Sequence, residues 1–268
     1  MDMLEAREEY IQARRLAQKE IRELRAVGKE TVPEVLEEII GENYTGSIIE
    51  LGVVNVATDR IVGTKTAGRI TAFSPSFMPL LEPESEFAQK WMRLCADHMS
   101  DEGIRNPIVC YEYLGKFYLQ EGNKRVSVLR YFGASQIPGV VYRVIPEMSD
   151  EPHIKAYFEF LEFYKATGLY DVLFRQPGDY EKLLSYLGKD LSQVWTEDEK
   201  RTFRAYFRYF KEAFQELRGD RLDILPEDAL LLWLKVYPFR DLGDKTAVEI
   251  KQALSALWAD VVSVSQES

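Results

Sequence analysis

The spacing of apolar residues divides the chain into a helical start, a middle with strand patterns and a helical remainder. Residues 3–28 carry apolar positions at a helical period, and Pro33 is expected to open a short second helix. The run 47–56 (SIIELGVVNV) is short, apolar and β-branched, which favours a strand. Ser85 precedes a further helical pattern that extends to about Met99, as an N-cap residue would.

The clearest local pattern lies in the middle of the chain. Residues 108–120 predict a β-hairpin, because two apolar runs flank the Leu-Gly pair at 114–115. Gly122 then breaks the second strand, and residues 126–132 predict a helix that ends at Gly133. The order of elements therefore indicates a small α+β unit.

Two further segments complete this unit. Residues 63–69 predict a loop between the first strand and the helix that begins after Ser85. The Pro-Gly pair at 138–139 is expected to break regular structure before a strand at 140–145 (VVYRVI).

No strand pattern follows Pro146, and the rest of the chain predicts helices. Residues 152–167 are rich in aromatics, and a capping box at 196–199 begins a long helix with one aromatic face. Further helices are expected from Pro226 and over residues 244–261. The fold class is therefore α+β, a small mixed-sheet core followed by an all-helical C-terminal domain. The predicted domains are an N-terminal helical extension, the sheet core and the helical domain, at 1–43, 44–148 and 149–268.

Charge is unevenly distributed along the chain, whose net charge is −10. Residues 44–146 hold 11 Lys and Arg against 10 Asp and Glu, whereas residues 151–268 hold 16 against 21. The acidic total argues against broad nonspecific binding to nucleic acid. No apolar run is long enough to span a membrane, and the acidic N-terminus does not resemble a secretory signal. Cys95 and Cys110 fit no metal spacing and are expected to be free thiols, which favours a cytoplasmic location.

Residues 121–125 (EGNKR) are the main candidate for chemistry. They join a strand to the start of a helix, where unpaired N–H groups and a partial positive charge favour an anion. Gly122 permits close backbone approach, Asn123 can cap the helix or donate to a phosphate, and Lys124 and Arg125 supply cationic donors. The alternative is a simple turn in which Asn123 is the N-cap and Arg125 pairs with a carboxylate.

A second cationic segment spans residues 60–69. Lys65 and Arg69 lie there with the hydroxyls of Thr64 and Thr66, a composition that suits a loop closing over phosphates. The alternative is a solvated surface loop.

The order and spacing of several short runs resemble the ParB N-terminal domain family, which shares its fold with sulfiredoxin. The runs are GIRNPIV, FYLQEGNKR, FGA and IPGV, at residues 103–109, 117–125, 132–134 and 137–140. Upstream, residues 56–61 (VATDRI) resemble the family's opening strand, and Arg69 falls near the Arg that closes its first loop. The resemblance covers about residues 50–145.

This resemblance implies a nucleotide pocket between the first loop and the start of the helix. The family uses it for CTP in ParB proteins, for ATP in sulfiredoxins and for phosphoryl transfer in free serine kinases. Gly122 and Arg125 carry over best, and CTP or ATP with Mg²⁺ becomes the expected ligand. The implied nucleotide- or phosphate-binding set is Thr64, Lys65, Thr66, Arg69, Glu121, Gly122, Asn123, Lys124 and Arg125.

Two departures limit what the resemblance implies. Asn123 stands where sulfiredoxin has its nucleophilic cysteine, and an amide cannot perform that attack. Residues 149–268 are acidic and aromatic, where ParB has a basic helix-turn-helix domain, so DNA is a disfavoured partner. The chain also resembles the N-terminal region of bacterial proteins that fuse such a domain to a basic-membrane-protein type binding module, which would make it a stand-alone or excised regulatory half.

The expected function is a regulatory domain that binds a nucleotide or another phosphorylated small molecule, with binding favoured over catalysis. A ParB-like DNA-binding protein and a nucleotide-dependent small-molecule kinase stay open as alternatives. Glu121 is the candidate base or metal ligand for the kinase, and Thr246 and Lys251 would face DNA. Glu112 is expected at the surface of the hairpin. The aromatic helical half is expected to be core or to bind a protein partner, including a second copy of the chain.

Overall fold

The chain forms two compact units, Met1–Glu147 and Met148–Ser268. The computed structural model describes residues 2–41, 44–68, 70–100, 103–104 and 106–267, and of residue 267 the backbone alone. Among these residues, no helix combines the length and apolar character that crossing a membrane requires.

A six-stranded mixed sheet organises the first unit. Its strands in chain order are β1 Glu34–Val35, β2 Ile48–Ala57, β3 Ile61–Thr64, β4 Ile108–Tyr113, β5 Lys116–Glu121 and β6 Gln136–Val144. The order across the sheet is β1-β3-β5-β4-β6-β2. The pairs β4–β5 and β2–β6 are antiparallel, while β1–β3, β3–β5 and β4–β6 are parallel.

The predicted hairpin is confirmed as β4 and β5. Leu114 and Gly115 connect the strands at φ values of 51° and 77°, the left-handed pair that a two-residue hairpin turn requires. Cys110 lies opposite Leu119, and both side chains are buried in the main apolar core of the sheet. This register fixes which side chains of β5 reach the helices and which reach the other face.

The sequence prediction missed β1 and β3 and began the first loop too early. Gly63 and Thr64, expected in a loop, are the last residues of β3. A Cβ on Gly63 would lie 2.1 Å from the Glu34 carbonyl oxygen, so the glycine is what lets β1 approach β3.

The expected break at the Pro-Gly pair was also wrong, because β6 runs through Pro138 and Gly139. Pairing of β6 with β4 begins only at Gly139, so the missing N–H of Pro138 removes no bond to β4. A Cβ on Gly139 would lie 2.9 Å from Ile108 Cγ1, and glycine therefore permits close packing of the strands.

Four α-helices lie in the described residues of the first unit. They are α1 Met3–Ala26, α2 Leu36–Ile40, α3 Glu86–His98 and α4 Asn123–Tyr131. Ser85 caps α3, as predicted, by accepting from the Ala88 N–H at 3.1 Å. Trp91 of α3 is fully buried between the helices, where its ring meets Tyr10 edge to face and its Nε1 donates to Ser127 Oγ at 2.8 Å.

Glu112 is buried, and its expected surface position was wrong. The side chain of Glu112 is 2% exposed, and its carboxylate lies 2.5 Å from Arg143 Nε of β6. The second carboxylate oxygen accepts from the Gly115 N–H at 2.7 Å. The sheet makes this ion pair possible, because β4 and β6 are adjacent and place the two residues side by side.

The second unit contains helices and, within its described residues, no strand. The helices are α5 Pro152–Thr167, α6 Asp179–Tyr186, α7 Glu197–Glu216, α8 Pro226–Leu234, α9 Asp241–Asp244, α10 Ala247–Ala256 and α11 Trp258–Glu267. The capping box at Thr196 is confirmed. The aromatic face of α7 is core, with Phe203, Phe207, Phe210 and Phe214 each buried. The single last helix predicted at 244–261 is instead two, α10 and α11.

Candidate functional site

The start of α4 has an unusual backbone and no side-chain cap. Gly122 is the N-cap residue, at φ +103° and ψ 13°. The Asn123 side chain does not cap the helix, so the simple reading with Asn123 as N-cap was wrong. First-turn N–H groups have no acceptor within their own helix and carry the positive end of its dipole. This helix start can therefore accept an anion.

A cleft of about 520 Å³ opens at this helix start and is called the α4 cleft below. Its walls come from the end of β5, the first turn of α4 and one face of α3, with Gly68 at its edge. Phe73, Phe87 and Leu94 supply apolar surface, and four cationic side chains outnumber two acidic ones. The cations are Lys90, Arg93, Lys124 and Arg125, and the acids are Asp97 and Glu121. A volume and lining of this kind fit a small anionic molecule with a flat apolar part.

Arg125 is held by the protein itself. Its Nη1 donates to the carbonyl oxygens of Asn106 and Pro107, each at 2.7 Å, and its Nη2 lies 2.8 Å from the Glu121 carboxylate. The pairing with a carboxylate that the sequence left open is confirmed. Because these acceptors occupy the guanidinium, Arg125 anchors the turn around Gly122 more than it presents a mobile charge.

Asn123 contributes a polar atom without a partner. Its Oδ1 is buried and has no hydrogen-bond partner in the part of the chain that the structure describes. Asn123 also lines the α4 cleft. An amide can turn to present either its oxygen or its NH₂ group, so it can accept from a ligand amine or donate to a ligand oxygen.

The predicted loop residues do not all reach the cleft. Thr64 is 3% exposed and donates its hydroxyl to the Thr66 carbonyl at 2.8 Å. The ammonium of Lys65 lies 4.7 Å from the centre of the Tyr111 ring. Tyr111 and the neighbouring Cys110 point to opposite faces of the sheet, and α4 packs on the Cys110 face.

Lys65 therefore points away from the helix start that it was expected to cover. Thr66 is exposed and does not line the cleft. Arg69 lies outside the described residues. Of the first loop, Gly68 alone among the described residues contributes to the cleft lining.

The sequence prediction missed the contribution of α3. Lys90, Arg93 and Asp97 face the cleft at intervals of three and four residues, which is the spacing of one helix face. Lys90 is paired with Glu86 at 2.6 Å, whereas Arg93 is exposed and its guanidinium group has no hydrogen bond or ion pair with any described residue. The helical spacing was visible in the sequence, but the packing of α3 beside α4 was not.

The candidate groups for other chemistry have local partners. Glu121, considered as a base or metal ligand, is in the ion pair with Arg125, and no group of three or more potential metal ligands occurs among the described residues. In the helix considered for DNA, the Thr246 hydroxyl accepts from the Glu249 N–H, and Lys251 lies 2.9 Å from Glu216.

Comparison with known proteins adds no family assignment. Neither a scan of protein-family models nor a search of curated proteins found a match to the chain. The residues of the α4 cleft are therefore the basis for any functional conclusion.

Proposed function

We propose that the first unit is a ParB-like regulatory domain that binds a nucleotide, or another phosphate-bearing small molecule, in the α4 cleft. The single observation that carries this proposal is the uncapped start of α4, which opens into a cleft of about 520 Å³ with more cationic than acidic side chains. Such a helix start is a common binding site for phosphate oxygens.

The ligand has distinct places for its parts. The phosphates lie at the N–H groups of the first turn of α4, with the cationic side chains of Arg93 and Lys124 beside them. The base or another flat group lies toward Phe73, Phe87 and Leu94, which form the apolar part of the lining. Arg125 keeps the turn in shape through its bonds to the carbonyls of Asn106 and Pro107.

The resemblance to the ParB N-terminal domain supports a nucleotide over a simple anion. CTP or ATP with Mg²⁺ is the ligand proposed, and binding is proposed without turnover. A role in binding fits the pairing of Glu121 with Arg125, because an ion-paired carboxylate is a weaker general base than a free one.

A thermal-shift panel tests this function. The full chain is heated with CTP, ATP, GTP or ADP, each with and without Mg²⁺. A ligand at 100 times its dissociation constant adds about 2.7 kcal/mol to the free energy of unfolding. For a chain of this size that raises the melting temperature by roughly 5–10 °C. No shift with any nucleotide at millimolar concentration would contradict the proposal.

A pair of arginine variants gives the control. Arg93→Gln removes a cation that lines the cleft, whereas Arg15→Gln removes an exposed arginine on α1 that does not line it. The nucleotide-induced shift should fall in Arg93→Gln and stay unchanged in Arg15→Gln. Equal shifts in both variants would argue against phosphate binding at this cleft.

A further inference from the structure

A second cavity lies in the first unit beside the C-terminal half of α1 and shares no lining residue with the α4 cleft. Its volume is about 470 Å³, which is within the range of small-molecule sites. Its apolar lining comes from Ile21, Val32 and Leu80, which belong to three separate segments of the chain. It is called the arginine cavity below.

Two arginines give this cavity its charge. Arg22 and Arg25 both line it, and neither guanidinium group has a hydrogen bond or ion pair with any described residue. They stand three residues apart on α1 and so lie on one face, where like charges repel each other. An anion between the two guanidinium groups would remove that repulsion.

The carboxylates nearby on α1 are engaged elsewhere. No lining residue of the arginine cavity is acidic, although the chain has 44 Asp and Glu. Glu20 accepts from the Ser76 N–H at 3.1 Å and from the Ser76 hydroxyl at 2.5 Å. Glu23 lies 3.8 Å from Lys19. The two arginines therefore face the cavity without a carboxylate in its lining.

The remaining lining groups are neutral and polar. Gln18, Thr31 and Thr71 supply an amide and two hydroxyls, all of which can donate to an anionic oxygen. The cavity thus combines an apolar surface, two cations and neutral donors.

We propose that the arginine cavity binds a small amphipathic anion, a molecule with a short apolar body and one carboxylate or phosphate head. The head pairs with the guanidinium groups of Arg22 and Arg25, because a planar guanidinium can donate two hydrogen bonds to a pair of carboxylate or phosphate oxygens. The body lies on Ile21, Val32 and Leu80. This site is independent of the nucleotide proposed for the α4 cleft.

Isothermal titration calorimetry of the full chain with three eight-carbon probes tests the proposal. Octanoate and octyl phosphate carry the two head groups, and octylammonium has the same body with a positive charge. At least one anion should bind and octylammonium should not, and the anion that binds more tightly identifies the preferred head. Absence of binding by both anions, or equal binding of octylammonium, would overturn the proposal.

Substitutions in and outside the arginine cavity test whether the anion binds there. The double variant Arg22→Gln/Arg25→Gln should weaken the anion at least about tenfold, because a hydrogen bond to a charged group contributes roughly that factor or more. Arg15→Gln, an exposed arginine of the same helix outside the cavity, should bind as the wild type does. Thr31→Glu places a carboxylate in the lining and should abolish binding with both arginines intact. Wild-type affinity in either cavity variant would show that the anion binds elsewhere.

Discussion

The guanidinium of Arg125 lies 2.8 Å from the carboxylate of Glu121, and this pair joins the last residue of β5 to the first turn of α4 across Gly122. The Arg125 side chain is only 14% exposed. The turn that presents the helix start is therefore fixed before any ligand arrives, as a preformed anion site requires.

Arg125→Gln is expected to destabilise the fold. The variant loses the donations to Asn106 and Pro107 as well as the pair with Glu121. Hydrogen bonds to charged groups contribute about 1.5–3 kcal/mol, so the free energy of unfolding in urea should fall by that amount. Arg93→Gln, at an exposed position, should change it by less than about 0.5 kcal/mol. If both variants were equally stable, Arg125 would not be the anchor of the turn.

Gly122→Ala should lower the free energy of unfolding more than Gly133→Ala does. Both glycines have positive φ, which costs an alanine about 1–2 kcal/mol. A Cβ at Gly122 would also lie 2.7 Å from Ile108 Cγ2, whereas at Gly133 it would meet nothing within 4 Å. The extra contact should add at least about 1 kcal/mol of destabilisation, measured by urea denaturation. Equal losses would mean that Ile108 can move aside.

The effects of substituting Glu112 and Arg143 on the free energy of unfolding should be coupled. Glu112→Leu alone leaves the Arg143 charge buried, and breaking a buried pair in this way costs about 3–5 kcal/mol. The double variant Glu112→Leu/Arg143→Met should be more stable than Glu112→Leu, because it removes the uncompensated charge. A double-mutant cycle in urea measures the coupling, and additive losses would contradict it.

The carboxyl group of Asp228 is expected to make the stability of the second unit depend on pH. Burial raises the pKa of the Asp228 carboxyl from its ordinary value of 3.8 to about 6, with the nearby Glu227 and Asp179 charges adding to the effect. The folded state therefore favours the protonated form, so the contribution of Asp228 to stability is fully present below about pH 4 and is lost as the pH rises through about 6.

Asp228→Asn should remove that decline and keep an acceptor for the Leu225 N–H. A shift of this size corresponds to on the order of 3 kcal/mol, so the variant should gain stability over the wild type between pH 4 and pH 7. Urea denaturation at both pH values measures it. The same difference between variant and wild type at pH 4 and at pH 7 would show that Asp228 does not titrate in this range.

Both cysteines should resist thiol reagents in the native state. Burial raises the pKa of Cys95 to about 11 and that of Cys110 to about 12, with Glu9 and Glu112 adding to the respective effects. Since the thiolate is the reactive form, labelling by an aromatic disulfide reagent at pH 8 should be slow until denaturant is added. Rapid labelling of two thiols per native chain would contradict the buried positions.

Local patterns were sufficient for much of the fold. The hairpin followed from two apolar runs around a Leu-Gly pair, and α3 and α7 followed from apolar spacing with an N-cap at Ser85 and Thr196. These features depend on neighbours in the chain. The strand β3 was missed because it has only four residues, one of them Gly63, and so short a run carries little periodic signal.

Only the part of the candidate site formed by residues 121–125 could be predicted from the sequence. Residues 121–125 are contiguous, so a strand, a glycine and a helix were enough to indicate an anion site there. Arg93 reaches the same cleft only because α3 packs beside α4. Lys65 does not reach it, because its ammonium lies over the Tyr111 ring on the opposite face of the sheet. Likewise, Glu112 is buried because β6 brings Arg143 beside it. Such long-range pairings cannot be read from local spacing.

Nitrogen-15 amide spectra of the full chain, titrated with CTP and with ATP in the presence of Mg²⁺, test the central claim most directly. The account predicts that the largest shifts occur at the N–H groups of Asn123, Lys124 and Arg125, with smaller ones at Gly68 and along the Arg93 face of α3. Arg93→Gln should weaken the titration, and Arg15→Gln should leave it unchanged. Absence of shifts at millimolar nucleotide, or shifts confined to residues outside the α4 cleft, would contradict the account.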